Sequence, residues 1–236
     1  MYDTIVLYIY EYMFVIKNKR SIFVYTRYQP ICDTWNTNQI IGYEATTDGF
    51  LDLIRRYGSR EVNTIDYLAR CQALDGLMSR LNPNQRIFVN LFPDNEVGEY
   101  PWFDEEHDLN HVTLEITEHQ LLPTNDKVLG KIEANRRRGM KVALDDFGVG
   151  ADALKLVDIL HPEYIKLDKY FVETMRQKGQ STSIRGMLRF CEEGAINLIV
   201  EGVESKQDYH QLLELGVRYM QGWYLGMPKP LSELFS

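Results

Sequence analysis

Two adjacent acids, Asp145 and Asp146, stand inside the stretch KVALDDFGVG between Lys141 and Gly150. Val142, Ala143 and Leu144 read as a short buried strand, entered from a helix that stops at Gly139. Side chains alternate along a strand, so neighbouring acids cannot share a face while it stays regular. The conflict eases if the strand ends at Asp145 and Asp146 lies in the loop, where Gly148 and Gly150 permit a tight backbone. Paired carboxylates at the end of a buried strand are costly without a cation between them, which points to metal. The competing reading is a helix cap at Asp145 and a solvated Asp146.

Around that pair, short apolar runs suggest strands at Ser21–Tyr28, Ile40–Glu44, Ile87–Leu91, His111–Glu115, Lys141–Asp145, Tyr164–Asp168, Asn197–Glu201 and Tyr219–Gln221. The turn-rich DTWNTN at Asp33–Asn38 makes a hairpin of the first two. Helical spacing covers Glu61–Leu81, Thr124–Arg138, Ala151–Leu160, Ser183–Glu193 and Lys206–Leu215. From Glu61 onward helix and strand alternate, which means parallel strands with crossover helices. The fold class is α/β, a (β/α)8 TIM-like barrel. The acidic, aromatic stretch Pro93–Asn110 is expected over the barrel rim.

The strand ends carry Glu44, Asn90, Glu115, Asp145 with Asp146, Lys166 with Asp168, Glu201 and Gln221. In a barrel those ends converge on one face, where active sites are built. Five carboxylates then share one bowl with a single lysine. Two like charges 4 Å apart repel by about 4 kcal/mol at an effective dielectric of 20. Two divalent cations nearly neutralise the set. Oxygen ligands, with one amide oxygen from Asn90, suit Mg²⁺ or Mn²⁺ rather than zinc. Paired metals are a device for in-line phosphoryl displacement. Lys166 can reach the attacking water or the phosphate, and Asp168, two residues on, is expected to hold its ammonium.

Composition narrows the partners. A net charge of -8 disfavours a nucleic-acid polymer, which would select a basic stripe. Hydrophobic content of 44% and charged content of 25% suit an ordinary globular domain. Cys32, Cys71 and Cys191 form no CxxC pair and read as free buried thiols in the reducing cytoplasm. The apolar run Ile5–Ile16 is too short for a membrane span, and its positive charges follow it, unlike a signal peptide. Residues 1–20 are therefore expected to be an N-terminal extension packed on a domain of residues 21–236, as a strand or helix.

The motifs YQP at Tyr28–Pro30, GYEA at Gly42–Ala45, FVNL at Phe88–Leu91, LEITE at Leu114–Glu118, DDFGVG at Asp145–Gly150, IKLD at Ile165–Asp168, VEGVE at Val200–Glu204 and QGWYLGMP at Gln221–Pro228 resemble, in order, the EAL-domain cyclic di-GMP phosphodiesterases. The resemblance implies a barrel with an antiparallel first strand. It also implies hydrolysis of cyclic di-GMP to linear pGpG with two Mg²⁺ or Mn²⁺, in bacterial signalling that governs motility, adhesion and biofilm. By resemblance, Glu44, Asn90, Glu115, Asp145, Asp146 and Glu201 match the metal ligands, and Lys166 the water-activating lysine. Gln221 matches a water- or metal-associated glutamine, Glu118 the acid that steadies the loop after DDFG, and Gln29 and Pro30 lie in the family's YQP motif. A homodimer is a further expectation of the family.

Two stretches depart from the pattern. Asp48 replaces the arginine that would touch a substrate phosphate, and Val149–Ala153 replaces the loop that couples the dimer interface to the metal site. The sequence contains no GGDEF-like, sensory or receiver segment before the barrel and reads as a stand-alone domain. The alternative within the same resemblance is a degenerate protein that binds cyclic di-GMP or a partner without hydrolysis. A dinucleotide-binding reading of Gly148–Ala153 is disfavoured by the two acids directly before it. A kinase reading of Asp146-Phe147-Gly148 has no HRD or VAIK partner.

Overall fold

Alternation along one strand sets the layers of the molecule. The Thr26 and Tyr28 side chains bond to Gln72 and to the Ala73 carbonyl of a packed helix, while Ile31 points into a strand-lined interior. The structure, a computed structural model, describes residues 5–9, 12–17, 20–50, 55, 62–92, 102–117, 126–149 and 153–235. β1 (Ile5–Ile9) and β2 (Tyr12–Lys17) form an antiparallel ladder that continues onto β3 (Arg20–Asp33). The apolar N-terminal run is therefore two strands rather than one element.

β3 runs past Tyr28 through Gln29 and Pro30 to Asp33, longer than the apolar pattern suggests. It turns through Thr34–Asn36, capped by the Asp33 carboxylate, and left-handed Thr37 and Asn38 into antiparallel β4 (Gln39–Thr47). The parallel series follows: α1 (Val62–Leu77), β5 (Arg86–Asn90), β6 (Val112–Thr117), α2 (Asp126–Arg136), β7 (Lys141–Phe147), α3 (Ala153–Leu160) and β8 (Tyr164–Leu167). It continues with α4 (Lys169–Lys178), α5 (Thr182–Glu193), β9 (Asn197–Val200), α6 (Lys206–Leu215), β10 (Tyr219–Gln221) and a last turn, α7 (Leu231–Leu234). β10 pairs antiparallel with β3 and closes a barrel of β3 to β10, with β3 the strand that opposes the rest. The expected barrel and its antiparallel first strand are both present.

Three local differences have physical causes. α4 was not expected, because only Val172 and Met175 of its residues are buried and its apolar stripe is thin. Trp102, Phe103 and Leu109, in the stretch expected over the rim, are core residues; residues 93–101 of that stretch lie outside the described set. β7 does not stop at Asp145, as described below.

Inside the barrel the side chains stack in layers drawn from alternate strands, as closure demands. Ile31, Phe88, Ala143 and Ile199, from β3, β5, β7 and β9, form an apolar floor with Tyr164. Two residues further toward the mouth on those same strands stand Gln29, Asn90, Asp145 and, just past β9, Glu201. Glu44, Glu115, Lys166 and Gln221 come from the intervening strands β4, β6, β8 and β10. Polar residues so placed are excluded from bulk water below and around, and can face only one another or the mouth. Among the described residues no helix is long and apolar enough to cross a membrane.

Candidate metal centre

Lys166 is the hub of this cup. Its Nζ lies 2.8 Å from Glu115 Oε1, 2.8 Å from Glu201 Oε1, 3.0 Å from Asp145 Oδ1 and 3.2 Å from Glu44 Oε2. Four strands thus deliver four carboxylates to one ammonium. An ammonium has three N–H donors, so it cannot give each acid a directed hydrogen bond. Glu115 Oε1 and Asp145 Oδ1 are buried and hold charge contacts with Lys166 but no hydrogen bond. The remaining capacity of these oxygens is what a cation would use.

Asp146 solves the alternation problem by geometry. Its φ is +52°, in the left-handed region that Asp tolerates better than most residues, and the β7–β8 register shifts between Leu144 and Phe147. The strand therefore bulges and continues to Phe147, rather than ending at Asp145 with Asp146 in a loop. Asp145 and Asp146, sequence neighbours, come together: one carboxylate oxygen from each of Asp145, Asp146 and Glu201 lies within 4.8 Å of the others. Glu44, Glu115 and Asp145 form a second such trio. Asp145 belongs to both. Gly148 follows with φ +96°, and a Cβ there would lie 2.6 Å from the Phe171 ring, so only glycine allows the turn.

The amides complete the wall. Asn90 Nδ2 donates to Glu115 Oε2 at 3.2 Å, which leaves its amide oxygen available as a ligand. Gln221 Nε2 donates to Glu44 Oε2 at 2.6 Å and to Gln29 Oε1 at 3.2 Å, so Gln221 and Gln29 fix the Glu44 carboxylate. Gln29 Nε2 donates in turn to the Gly226 carbonyl at 3.0 Å, and Pro30 packs where a Cβ on Gly226 would sit, 2.4 Å from Pro30 Cγ. Gln29 and Pro30 anchor the C-terminal tail beside the site. Glu118 lies outside the described residues, as do Gly150, Ala151 and Asp152 of the departing loop.

Asp168 is elsewhere. The sequence reading put its carboxylate on the Lys166 ammonium. β8 ends at Leu167, and Asp168 caps α4 by accepting from Tyr170 N at 2.7 Å. The alternation that would have aligned it with Lys166 ceases one residue before it. Asp48, which stands where the family's phosphate-binding arginine is expected, is paired with Arg27, whose Nε donates to Asp48 Oδ2 at 2.5 Å. Sequence reasoning missed Arg27; only its alternation with Tyr28 on β3 could have suggested it.

Charge in the cup is out of balance. Burial pushes the Glu115 carboxyl well above its usual range, and the Glu44 and Asp145 charges add to this against the pull of Lys166. Burial pushes Glu201 up to about 8, again against Lys166. Asp146 is raised by burial and by Asp145. Burial alone would lower Lys166, but Asp145, Glu115, Glu201 and Glu44 outweigh it and hold the ammonium well above its ordinary value. The carboxyl shifts come first from burial and then from neighbouring carboxylates, and only the Lys166 shift is set chiefly by charge.

Two carboxylate trios that have Asp145 in common offer oxygen ligands, which hard divalent cations select. The residues present fit such ions: buried carboxylate oxygens that share a single ammonium, an amide oxygen on Asn90 that Glu115 leaves available, and carboxyl pKa values raised by burial and then by neighbouring charge. Residues 20–228 match the family model described as the EAL domain. The chain belongs to the EAL domain family.

PdeG of Escherichia coli K12, named a probable cyclic di-GMP phosphodiesterase, is 34% identical over 172 residues, covering 68% of this chain and 33% of PdeG. PdeA of the same organism, also named a probable cyclic di-GMP phosphodiesterase, is 31% identical over 202 residues, covering 80% of this chain and 27% of PdeA. The chain spans a third or less of these curated relatives. The manganese and cyclic di-GMP complex of BlrP1 from Klebsiella pneumoniae superposes with a TM-score of 0.74 at 20% identity, over 97% of this chain and 59% of BlrP1, and shows the same fold. Beside the EAL cup, a cavity of about 330 Å³ opens between Thr46, Phe50, Asp66, Arg70, Asn90 and Phe92. Asn90 lines that cavity and also donates to Glu115 in the cup.

Proposed function

We propose that this EAL chain is a metal-dependent phosphodiesterase that hydrolyses cyclic di-GMP to linear pGpG. The observation that carries the reading is the convergence of four carboxylates within 3.2 Å of the Lys166 ammonium, with Asp146 and Asn90 alongside. Glu44, Asn90, Glu115, Asp145, Asp146 and Glu201 would hold two Mg²⁺ or Mn²⁺, with Asp145 serving both. When bound, such ions supply charge neutralisation and water activation to phosphoryl displacement.

The chain's own residues then divide the work. Lys166, held protonated by its acids, donates to a phosphate oxygen or to the attacking water rather than accepting a proton. Glu201, 2.8 Å from the Lys166 ammonium, would serve as a metal-bound carboxylate that helps orient the attacking water. Water adds to phosphorus as it loses a proton to bulk water, the bond from phosphorus to the ribose 3′ oxygen breaks, and the released 3′ oxygen takes up a proton from bulk water to become the hydroxyl. Gln221 and Gln29 keep Glu44 in register throughout. The adjoining cavity, walled by Phe50 and Phe92, has the size for one base. The exposed Val149, Leu154 and Tyr170 offer apolar surface for a homodimer. The buried thiols Cys32, Cys71 and Cys191 support a reducing, cytoplasmic setting.

The test is direct. Purified protein with cyclic di-GMP and Mn²⁺ should release pGpG, resolved by chromatography, and Glu44→Ala should release none. Tight binding of cyclic di-GMP with no pGpG would overturn hydrolysis and leave a binding protein.

A further inference from the structure

Arg27 stands at the mouth of the cup. Thr26 and Tyr28 both face outward, bonded to Gln72 and to the Ala73 carbonyl on α1, while Gln29 faces the cup and Ile31 its floor. Arg27 therefore shares the inward face of β3 with Gln29, two residues nearer the mouth. The register agrees: Gln29 lies opposite Glu44, and Arg27 lies opposite Thr46, a wall residue of the adjoining cavity.

The side chain is held but not used up. Its Nε donates to Asp48 Oδ2 at 2.5 Å, its guanidinium lies 5.5 Å from the Tyr25 ring centroid, and the Asp48 N–H is tied to the Tyr25 carbonyl at 2.9 Å. Among the described residues Nη1 and Nη2 have no hydrogen-bond partner, and the side chain is 39% exposed. Two parallel N–H donors with a fixed plane are the fork that binds a phosphate through two oxygens. An ion pair on Nε leaves that fork free and fixes its direction. Asp48 so neutralised no longer opposes an anion.

Resting on the hydrolase reading, we propose that Arg27 binds the phosphodiester of cyclic di-GMP that is not being cleaved, and that Asp48 positions it. One phosphate of a cyclic dinucleotide goes to the cup. The ring holds the second at a distance, where a cup of carboxylates offers it only repulsion. Arg27 is a described cation on the inward face above Lys166, two strand residues or about 7 Å beyond Gln29.

Steady-state kinetics of the full chain with Mn²⁺ separate the outcomes, using cyclic di-GMP and bis(p-nitrophenyl) phosphate, a single phosphodiester. Arg27→Ala is expected to raise KM for cyclic di-GMP by about tenfold with kcat little changed, the size of one lost charged hydrogen-bond pair. It leaves the single phosphodiester unaffected. Asp48→Ala raises the same KM less, and Asp48→Glu restores it. Arg27→Lys keeps the charge without the fork and falls between. An unchanged KM in Arg27→Ala while wild type turns over cyclic di-GMP overturns the assignment and spares the hydrolase reading. Equal loss on both substrates overturns it too, since that reports a structural fault. A wild type that makes no pGpG removes both.

Discussion

The Lys166 ammonium lies 2.8 Å from Glu115 Oε1, and both side chains are closed to solvent. Each is tolerable only because of the other. Removing one partner of a buried pair strands a charge and costs about 3–5 kcal/mol. Lys166→Met should therefore lower the urea midpoint in EDTA. Added Mn²⁺ should recover most of the loss, because cations replace the missing positive charge. A variant as stable as wild type in EDTA would show that the acids do not depend on Lys166.

The same lysine separates chemistry from binding. It faces the acids at the centre of the cup, so on the hydrolase reading it would meet the reacting atoms and little else of the substrate. Lys166→Ala is expected to lower kcat by about a hundredfold or more while KM moves a few-fold, as for an interaction made chiefly in the transition state. Equal turnover in the two proteins would take Lys166 out of the mechanism.

Glu201 makes metal binding pH-dependent. Burial holds its carboxyl up to about 8, above the ordinary value of about 4.3. In the metal-free chain the native state then binds more protons than the unfolded state between those values, so stability falls as pH rises through the window. Metal requires the carboxylate, so Mn²⁺ affinity should rise over the same range, with proton release visible as buffer-dependent heat in calorimetry. Glu201→Gln should flatten both slopes. Affinity independent of pH from 6 to 9 would contradict the crowded cup.

Away from the site, Asp208 is an acid with the opposite sign. Burial would raise it, but Arg176, at 2.9 Å, and the Ser205 capping box outweigh burial and hold it below its ordinary value. Its contribution is present above about pH 4 and is lost as pH falls through the lowered value. Asp208→Ala should cost about 1–2 kcal/mol at pH 7, typical of a lost cap. Urea titrations at pH 7 and pH 3 should show the gap from wild type closing in acid.

How much of this was legible in the chain depended on what each residue had to oppose. Glu44, Glu115 and Glu201 announced themselves because each ends a short apolar run, and an acid there has nowhere to go but the barrel mouth. The barrel followed from helix and strand alternation, since parallel strands need crossovers. Asp146 was not legible in detail: the left-handed residue that brings it beside Asp145 is a backbone choice, and alternation assumes a regular strand. Asp168 was misplaced for the same reason, because the residue that ends a strand and the residue that caps the next helix look alike in sequence. Arg27 was invisible because its meaning comes from Asp48, 21 positions away across a hairpin.

Equilibrium dialysis of the EDTA-stripped chain against Mn²⁺ tests the cup most directly. The account predicts close to two ions per chain for wild type, and a loss of both in Asp145→Asn, because the shared acid serves each carboxylate trio. Wild type that retains no Mn²⁺, or Asp145→Asn that binds as wild type does, would contradict it.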